Sequence, residues 1–201
     1  MKKKLFFLLI LSSVFVISGC GATKTTRHDA DEVIDVGDKW NDTDSRLVAE
    51  EMITDSLKRP WLKKFLRKNS DKLPVVIIGR IRNRSHEHIN IKTFIKNIER
   101  ALLNSGEVEF VAGKGERSQS RRERLDQQSH ASEETAKEVG EETGADFILV
   151  GSLNSIINKS GGKSLKFYQV NLELINIQTN RKVWIGEKKI KKIIDQSRFR
   201  Y

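Results

Sequence analysis

The chain has 201 residues, of which 37 are Lys or Arg and 27 are Asp or Glu, so its formal net charge is +10. This length suits one globular domain plus a tether. Cys20 is the only cysteine, which excludes an intramolecular disulfide and requires an ordinary apolar core to stabilise the fold.

The N-terminus has the pattern of a bacterial lipoprotein signal peptide. Lys2, Lys3 and Lys4 precede an apolar run at residues 5–17, which is too short to span a hydrocarbon core of ~30 Å as a helix. Small residues and Cys20 follow at once. We therefore predict a signal peptide over residues 1–19 and lipidation of Cys20. A lipidated thiol can serve neither as a catalytic group nor as a metal ligand. The mature protein is then expected outside the cytoplasm.

Residues 20–37 show no apolar periodicity and are predicted to form a lipidated, flexible tether to a globular domain over residues 38–201. Fully extended, residues 21–37 would reach roughly 55–60 Å. Loss of residues 1–19 removes three lysines and no acids, so the net charge falls to +7. Because an exported, membrane-tethered protein rarely meets nucleic acid, we expect contacts with anionic lipid, acidic cell-wall polymer or an acidic protein surface. A solvated surface without a partner is the alternative.

Helices and one strand are predicted in the first half of the globular part. Polar residues 42–44 offer capping oxygens for a first helix, and apolar spacing places Leu47 and Val48 on its core side. Asn90 and Gly106 are suited to begin and end the clearest amphipathic helix. The predicted elements are a helix over 42–57, a short helix after Pro60, a strand over 75–81 and a helix over 90–106.

The second half is predicted to add most of the sheet. The elements in order are a strand over 107–112, a polar helix over 116–128, a helix over 132–143, a strand over 146–157, a loop over 158–163, a strand over 165–177, a turn over 178–181 and a strand over 182–190. This order predicts an α/β (α+β) fold, with a mixed sheet of about five strands and helices mainly on one face. The predicted core comprises Ile78, Phe94, Ile98, Phe147, Leu149, Leu172 and Leu174.

The motifs of enzymes are weak in this chain. His86-Glu87-His88 looks metal-like, but residues i and i+2 point the same way only on a strand, and this tripeptide falls in a predicted loop. Gly113-Lys114-Gly115 lacks the helix-opening spacing of a phosphate loop. We therefore predict no catalytic residue, metal or cofactor. A hydrolase whose catalytic residues are dispersed along the chain is the alternative.

Two basic clusters are candidate docking surfaces. Arg117, Arg121 and Arg124 recur at i, i+4 and i+7, so they form one stripe on a helix with little core to face. A solvated helix with local charge pairs is the competing interpretation. Arg82, Asn83 and Arg84 follow the first strand in a predicted loop, which could equally serve only to turn the chain.

Further motifs occur in order between about residues 75 and 190. They are Asn83-Arg84-Ser85, Asn104-Ser105-Gly106, Gly144-Ala145-Asp146-Phe147, Leu172-Glu173-Leu174, Gln178-Thr179 and Val183-Trp184-Ile185-Gly186. In order and spacing they resemble the LpoB family of outer-membrane lipoproteins, which activate a penicillin-binding peptidoglycan synthase, and its TolB-N-terminal-like relatives.

The resemblance implies a TolB-N-terminal-like domain without an active site, which docks on a periplasmic, non-catalytic module of a bifunctional penicillin-binding protein. It places part of the docking patch at Val150-Gly151-Ser152. Ser152 is carried over, whereas Val150 stands where better-studied members have an aromatic residue. The resemblance thus predicts a monomeric activator that is lipid-anchored in the outer membrane and faces the periplasm. A structural or assembly lipoprotein of an envelope or secretion complex is the alternative.

Overall fold

The computed structural model describes residues 25–29, 32–34, 37–130, 144–160 and 163–195. The predicted signal peptide, Cys20, half of the tether, the predicted helix over 132–143 and the glycines at 161 and 162 lie outside the described residues. The chain divides into two compact units, Met1–Val33 and Ile34–Tyr201. In the first, Nδ1 of His28 lies 3.1 Å from Oε2 of Glu32. The second contains all the helices and strands described below.

Four helices and five strands are described in the second unit. The helices are α1 (Asp42–Leu57), α2 (Pro60–Lys68), α3 (Ile91–Ser105) and α4 (Lys114–His130). The strands are β1 (Val75–Arg84), β2 (Glu109–Phe110), β3 (Phe147–Ser160), β4 (Lys163–Asn176) and β5 (Lys182–Asp195). They form one sheet of order β2-β1-β3-β4-β5, in which β1 is parallel to β2 and β3, and the β3-β4-β5 meander is antiparallel. The mixed sheet expected from the sequence is confirmed.

Local side chains begin and end the helices. Asn41 caps α1: its Oδ1 accepts from the N–H of Asp44 at 2.9 Å, and Oδ2 of Asp44 accepts from the N–H of Asn41 at 3.0 Å. The cap therefore lies one residue before the predicted positions. Asn90 caps α3, and Gly106 ends it with a φ of 67°, as predicted.

The core lies between the sheet and the helices. Six of the seven predicted core residues are buried, and Ile78 is half-buried. Leu47 is 43% exposed, so its predicted place on the core side of α1 is wrong. The helix instead buries Val48, Met52 and Ile53, and Leu47 lies about 100° around the helix from Val48.

The strands differ in length from their predictions. β1 continues to Arg84 because the register shift between Ile78 and Ile81 lets its pairing with β3 resume beyond the irregularity. Arg82 and Arg84 therefore lie in a strand, and the predicted loop there is wrong. β3 and β5 are also longer than predicted. β2 has only two residues, because it pairs only with the start of β1.

Candidate functional site

A basic depression lies on the sheet face opposite α1 and α3. The described side chains that β3, β4 and β5 direct to this open face are half-buried or exposed. The register places Ser152 of β3 directly between Arg82 of β1 and Asn171 of β4. The depression has a volume of about 380 Å³ and is lined by Arg80, Arg82, Arg84, Val150, Gly151, Ser152, Asn171 and Glu173.

Strand alternation explains why Ser152 faces outward. Leu153, the next residue, is completely buried, so the strand period of two turns Ser152 to the open face. Gly151 allows the close approach of β4: a Cβ added there would lie 2.3 Å from the backbone oxygen of Asn171. The backbone under the depression is therefore tightly constrained.

Hydrogen bonds between neighbouring side chains organise the floor of the depression. Nδ2 of Asn154 donates to Oγ of Ser152 at 3.2 Å, and Nε2 of Gln169 donates to Oδ1 of Asn171 at 3.1 Å. At one side, Nζ of Lys182 lies 2.8 Å from Oε2 of Glu173. These contacts occur between side chains on the same face and hold the polar groups in place. The depression thus offers organised hydroxyl and amide groups.

The rim is positively charged. Arg80, Arg82 and Arg84 are all exposed, and Glu173 is the one acidic residue among the lining residues. Guanidinium groups present several N–H donors in a planar fork that suits carboxylates. The arrangement can therefore bind an acidic surface on a partner.

The structure brings together only some of the predicted site residues. Arg82, Arg84 and Ser152 share the depression, whereas Asn83 serves the loop that follows β1. Oδ1 of Asn83 accepts from the N–H and Oγ of Ser85 at 2.9 and 2.7 Å, and its Nδ2 donates to the backbone oxygen of Glu87 at 2.8 Å. Arg80 and Asn171 also line the depression but were not predicted as site residues from the sequence. The outward alternation of β4 was the sequence signal for Asn171.

The predicted arginine stripe lies on α4 and contributes no residue to the lining of the depression. Arg121 is exposed, while Arg117 and Arg124 are half-buried. α4 is joined to α3 where Nζ of Lys96 lies 2.8 Å from Oε1 of Glu116. Lys96 thereby lowers the pKa of Glu116. The stripe is thus a second basic surface, distinct from the depression.

A charge cluster around the buried Lys166 lies on the helix side of the sheet and was not predicted from the sequence. Nζ of Lys166 lies 2.8 Å from Oδ2 of Asp38 and 2.7 Å from Oε1 of Glu87. The other oxygen of Glu87 accepts from the backbone N–H of Trp40 at 3.1 Å. The sequence signal was a lysine at an inward position of the alternating strand β4. The cluster attaches the segment that precedes α1 to the sheet.

The contacts keep this cluster charged. The hydrogen bond from Lys166 lowers the pKa of Asp38. Burial raises the pKa of Glu87, but the hydrogen bonds from Lys166, Trp40 and Tyr168 outweigh it, so its pKa is lowered. Burial lowers the pKa of Lys166, and its two carboxylate partners reverse that effect and raise it. The three groups form a charge-compensated network around the buried Lys166.

The cavity beside this cluster has a volume of about 460 Å³ and includes His86, Glu87 and His88 in its lining. Oγ of Ser155 contacts both the backbone nitrogen and Nδ1 of His86, at 2.9 and 3.0 Å. Among the described residues, no group of three or more His, Cys, Asp or Glu side chains is arranged to hold a metal ion. Within the same residues, no helix is long and apolar enough to cross a membrane.

Comparison with known proteins gives one family match. The family model described as peptidoglycan-synthase activator LpoB matches residues 44–190. No curated protein sequence matches the chain.

Solved structures with low sequence identity were also found. The LpoB C-terminal domain from Escherichia coli is 14% identical, with a TM-score of 0.47, and that from Salmonella enterica is 15% identical, with a TM-score of 0.44; each match covers 74% of this chain and 99% of the other. Lipoprotein GNA1162 from Neisseria meningitidis is 13% identical over 62% of this chain and 86% of its own, with a TM-score of 0.39.

Proposed function

The chain belongs to the LpoB family of peptidoglycan-synthase activators, and from this premise we propose that it binds and activates a bifunctional penicillin-binding protein without being an enzyme itself. The basic depression is the observation that carries this proposal. Its organised polar floor and exposed arginine rim suit contact with an acidic, non-catalytic module of the synthase. Ser152, Arg82 and Arg84 are the proposed contact residues.

Activation of this kind is allosteric. A ligand shifts an equilibrium only by its differential affinity for the two states, and a tenfold shift requires about 1.4 kcal/mol. A few charge-assisted contacts that form only with the active synthase would supply that difference. The proposed role therefore requires no catalytic group in this chain.

The proposal includes the location of the protein. Residues 1–19 are removed as a signal peptide, lipid on Cys20 anchors the chain in the outer membrane, and residues 20–37 tether the domain in the periplasm. A tether with an extended reach under ~60 Å requires the docking module to stand well out from its own membrane, or both proteins to share one membrane. The free protein is a monomer in this proposal.

A reconstituted assay tests the proposal. The mature chain is mixed with candidate synthases from the same cell and lipid-linked precursor, and both binding and glycan polymerisation are measured. We expect a cognate synthase to bind the chain and to polymerise glycan faster in its presence. Arg82→Glu combined with Arg84→Glu should weaken this binding at least tenfold. Arg67→Glu, at an exposed position of α2, is the matched control and should change binding less than twofold.

The α4 stripe is tested in the same assay through Arg121→Glu. A loss of binding with this variant alone would place the contact on α4 rather than at the depression. If no synthase binds the chain or responds to it, the activator proposal fails. Self-association in sedimentation velocity would then favour the assembly-subunit alternative.

A further inference from the structure

Four apolar side chains cluster on the open sheet face at the β3–β4 hairpin end. Ile156 is opposite Phe167 in the β3–β4 register, and Leu165 is opposite Ile193 in the β4–β5 register. Ile156 is 56% exposed and Ile193 is 72% exposed, while Leu165 and Phe167 are half-buried. We name these four residues the hairpin patch.

Lysines border the hairpin patch. Lys191 lies opposite Phe167, and Lys163 lies on the same face at the tip of the hairpin; both are exposed. Lys189, also exposed on this face, is paired with Glu187. The neutral residues Asn154 and Gln169 separate the patch from the basic depression. The hairpin end is therefore apolar at its centre and basic at its margin.

The chain enters the folded domain at this same end of the sheet. Lys166 and Lys192 lie directly opposite each other behind the patch, on the helix side. Nζ of Lys166 binds Asp38 at 2.8 Å, and Nζ of Lys192 donates to the backbone oxygen of Lys39 at 3.0 Å. The segment that continues from the tether is thus attached at the hairpin end, to the opposite face of the sheet from the hairpin patch.

We propose that the hairpin patch docks on the surface of the membrane that holds the lipid anchor; this rests on the anchor at Cys20 proposed above. The apolar side chains lie at the boundary between headgroups and acyl chains, and the lysines contact anionic headgroups. A basic margin around an apolar centre suits an anionic bilayer.

The short tether assists this contact, because it keeps the domain close to the membrane and makes docking effectively intramolecular. The hairpin patch and the basic depression lie on the same face of the sheet. Ser152 lies four residues from Ile156 along β3, which corresponds to roughly 14 Å. Docking through the hairpin end with the strands upright on the membrane would hold the depression above the membrane surface by about this distance.

Vesicle binding tests the membrane contact independently of any synthase. The mature chain carrying Cys20→Ser, which cannot be lipidated, is sedimented with vesicles of phosphatidylethanolamine and phosphatidylglycerol at 3:1, and with phosphatidylcholine vesicles. We expect binding to the anionic vesicles alone. Lys191→Glu should weaken it at least ~5-fold, since each lysine near an anionic surface contributes roughly a factor of five.

Ile193→Ser and Ile185→Ser form a matched pair. Both isoleucines lie on the open face of β5 and are similarly exposed, at 72% and 62%, but only Ile193 belongs to the hairpin patch. Ile193→Ser should weaken vesicle binding several-fold, and Ile185→Ser should leave it unchanged. Lys63→Glu on α2 is the corresponding charge control. Circular dichroism verifies that each variant is folded.

Absence of vesicle binding overturns the proposal, as does an equal loss with Ile185→Ser. A concentration-dependent dimer that Ile193→Ser abolishes would also overturn it, because the patch would then bind a second copy. These outcomes are separate from those of the synthase assay. Vesicle binding can fail while synthase activation persists, and activation can fail while vesicle binding persists.

Discussion

Lys166 and Lys192 lie directly opposite each other in the β4–β5 ladder, and both are directed into the helix side of the sheet. Each binds a different part of the segment before and within α1. Lys166 contacts Asp38 and Glu87, while Nζ of Lys192 lies 2.8 Å from Oδ2 of Asp44. Two buried ammonium groups thus join the start of the domain to its last two strands.

Replacement of Lys166 by Met is expected to lower the free energy of unfolding by about 3 kcal/mol, because removal of one partner leaves the carboxylate of Glu87 poorly compensated. Urea unfolding measures this change. Lys182→Met is the matched control: it removes the more exposed pair with Glu173 and should cost less than about 1 kcal/mol. Equal effects of the two variants would show that the cluster does not stabilise the domain.

The same cluster predicts a dependence of stability on pH. The pKa of Glu87 and that of Asp38 are lowered from ordinary values of 4.5 and 3.8, so their contribution is present at neutral pH and is lost as pH falls through the lowered values. Asp38 contributes less because its side chain is 43% exposed. Urea unfolding between pH 3 and 7 should show that the free energies of unfolding of the wild type and Lys166→Met converge as the pH falls below about 4.5. Parallel curves would contradict the prediction.

Gly151→Ala is expected to destabilise the domain by about 1–3 kcal/mol, because the new Cβ would lie 2.3 Å from the backbone oxygen of Asn171. Gly115→Ala provides the contrast. It lies in α4, its Cβ would meet no atom within 4 Å, and alanine favours a helix by about 0.5–1 kcal/mol. Thermal unfolding of both variants checks the prediction, and a Gly151→Ala protein as stable as the wild type would refute it.

Cys20→Ala is expected to leave a folded domain that no longer remains with the envelope after a high-salt wash. The lipid is the proposed stable anchor, and the lysine-mediated contact of the hairpin patch is weakened by salt. Membrane fractionation with immunodetection measures the distribution. A mutant that still sediments with the envelope after the wash would reveal a second salt-resistant anchor.

Elements with a local physical cause could be predicted from the sequence. Asn90 and Gly106 set the ends of α3 through capping oxygens and a left-handed backbone, which depend only on neighbouring residues. The outward alternation of Gln169, Asn171 and Glu173 likewise identified the open face of β4. The order of the strands and helices was sufficient to predict the mixed sheet.

The tertiary structure alone decided which distant residues meet. Arg82 and Ser152 are neighbours because parallel pairing of β1 with β3 resumes after the irregularity at Ile78–Ile81, and that register depends on contacts 70 residues apart in the chain. Lys166 is buried for a similar reason, since its partners Asp38 and Glu87 come from segments that the sheet brings to it. Side-chain periodicity is a local property, whereas strand register and charge compensation are set by the packing of the whole domain.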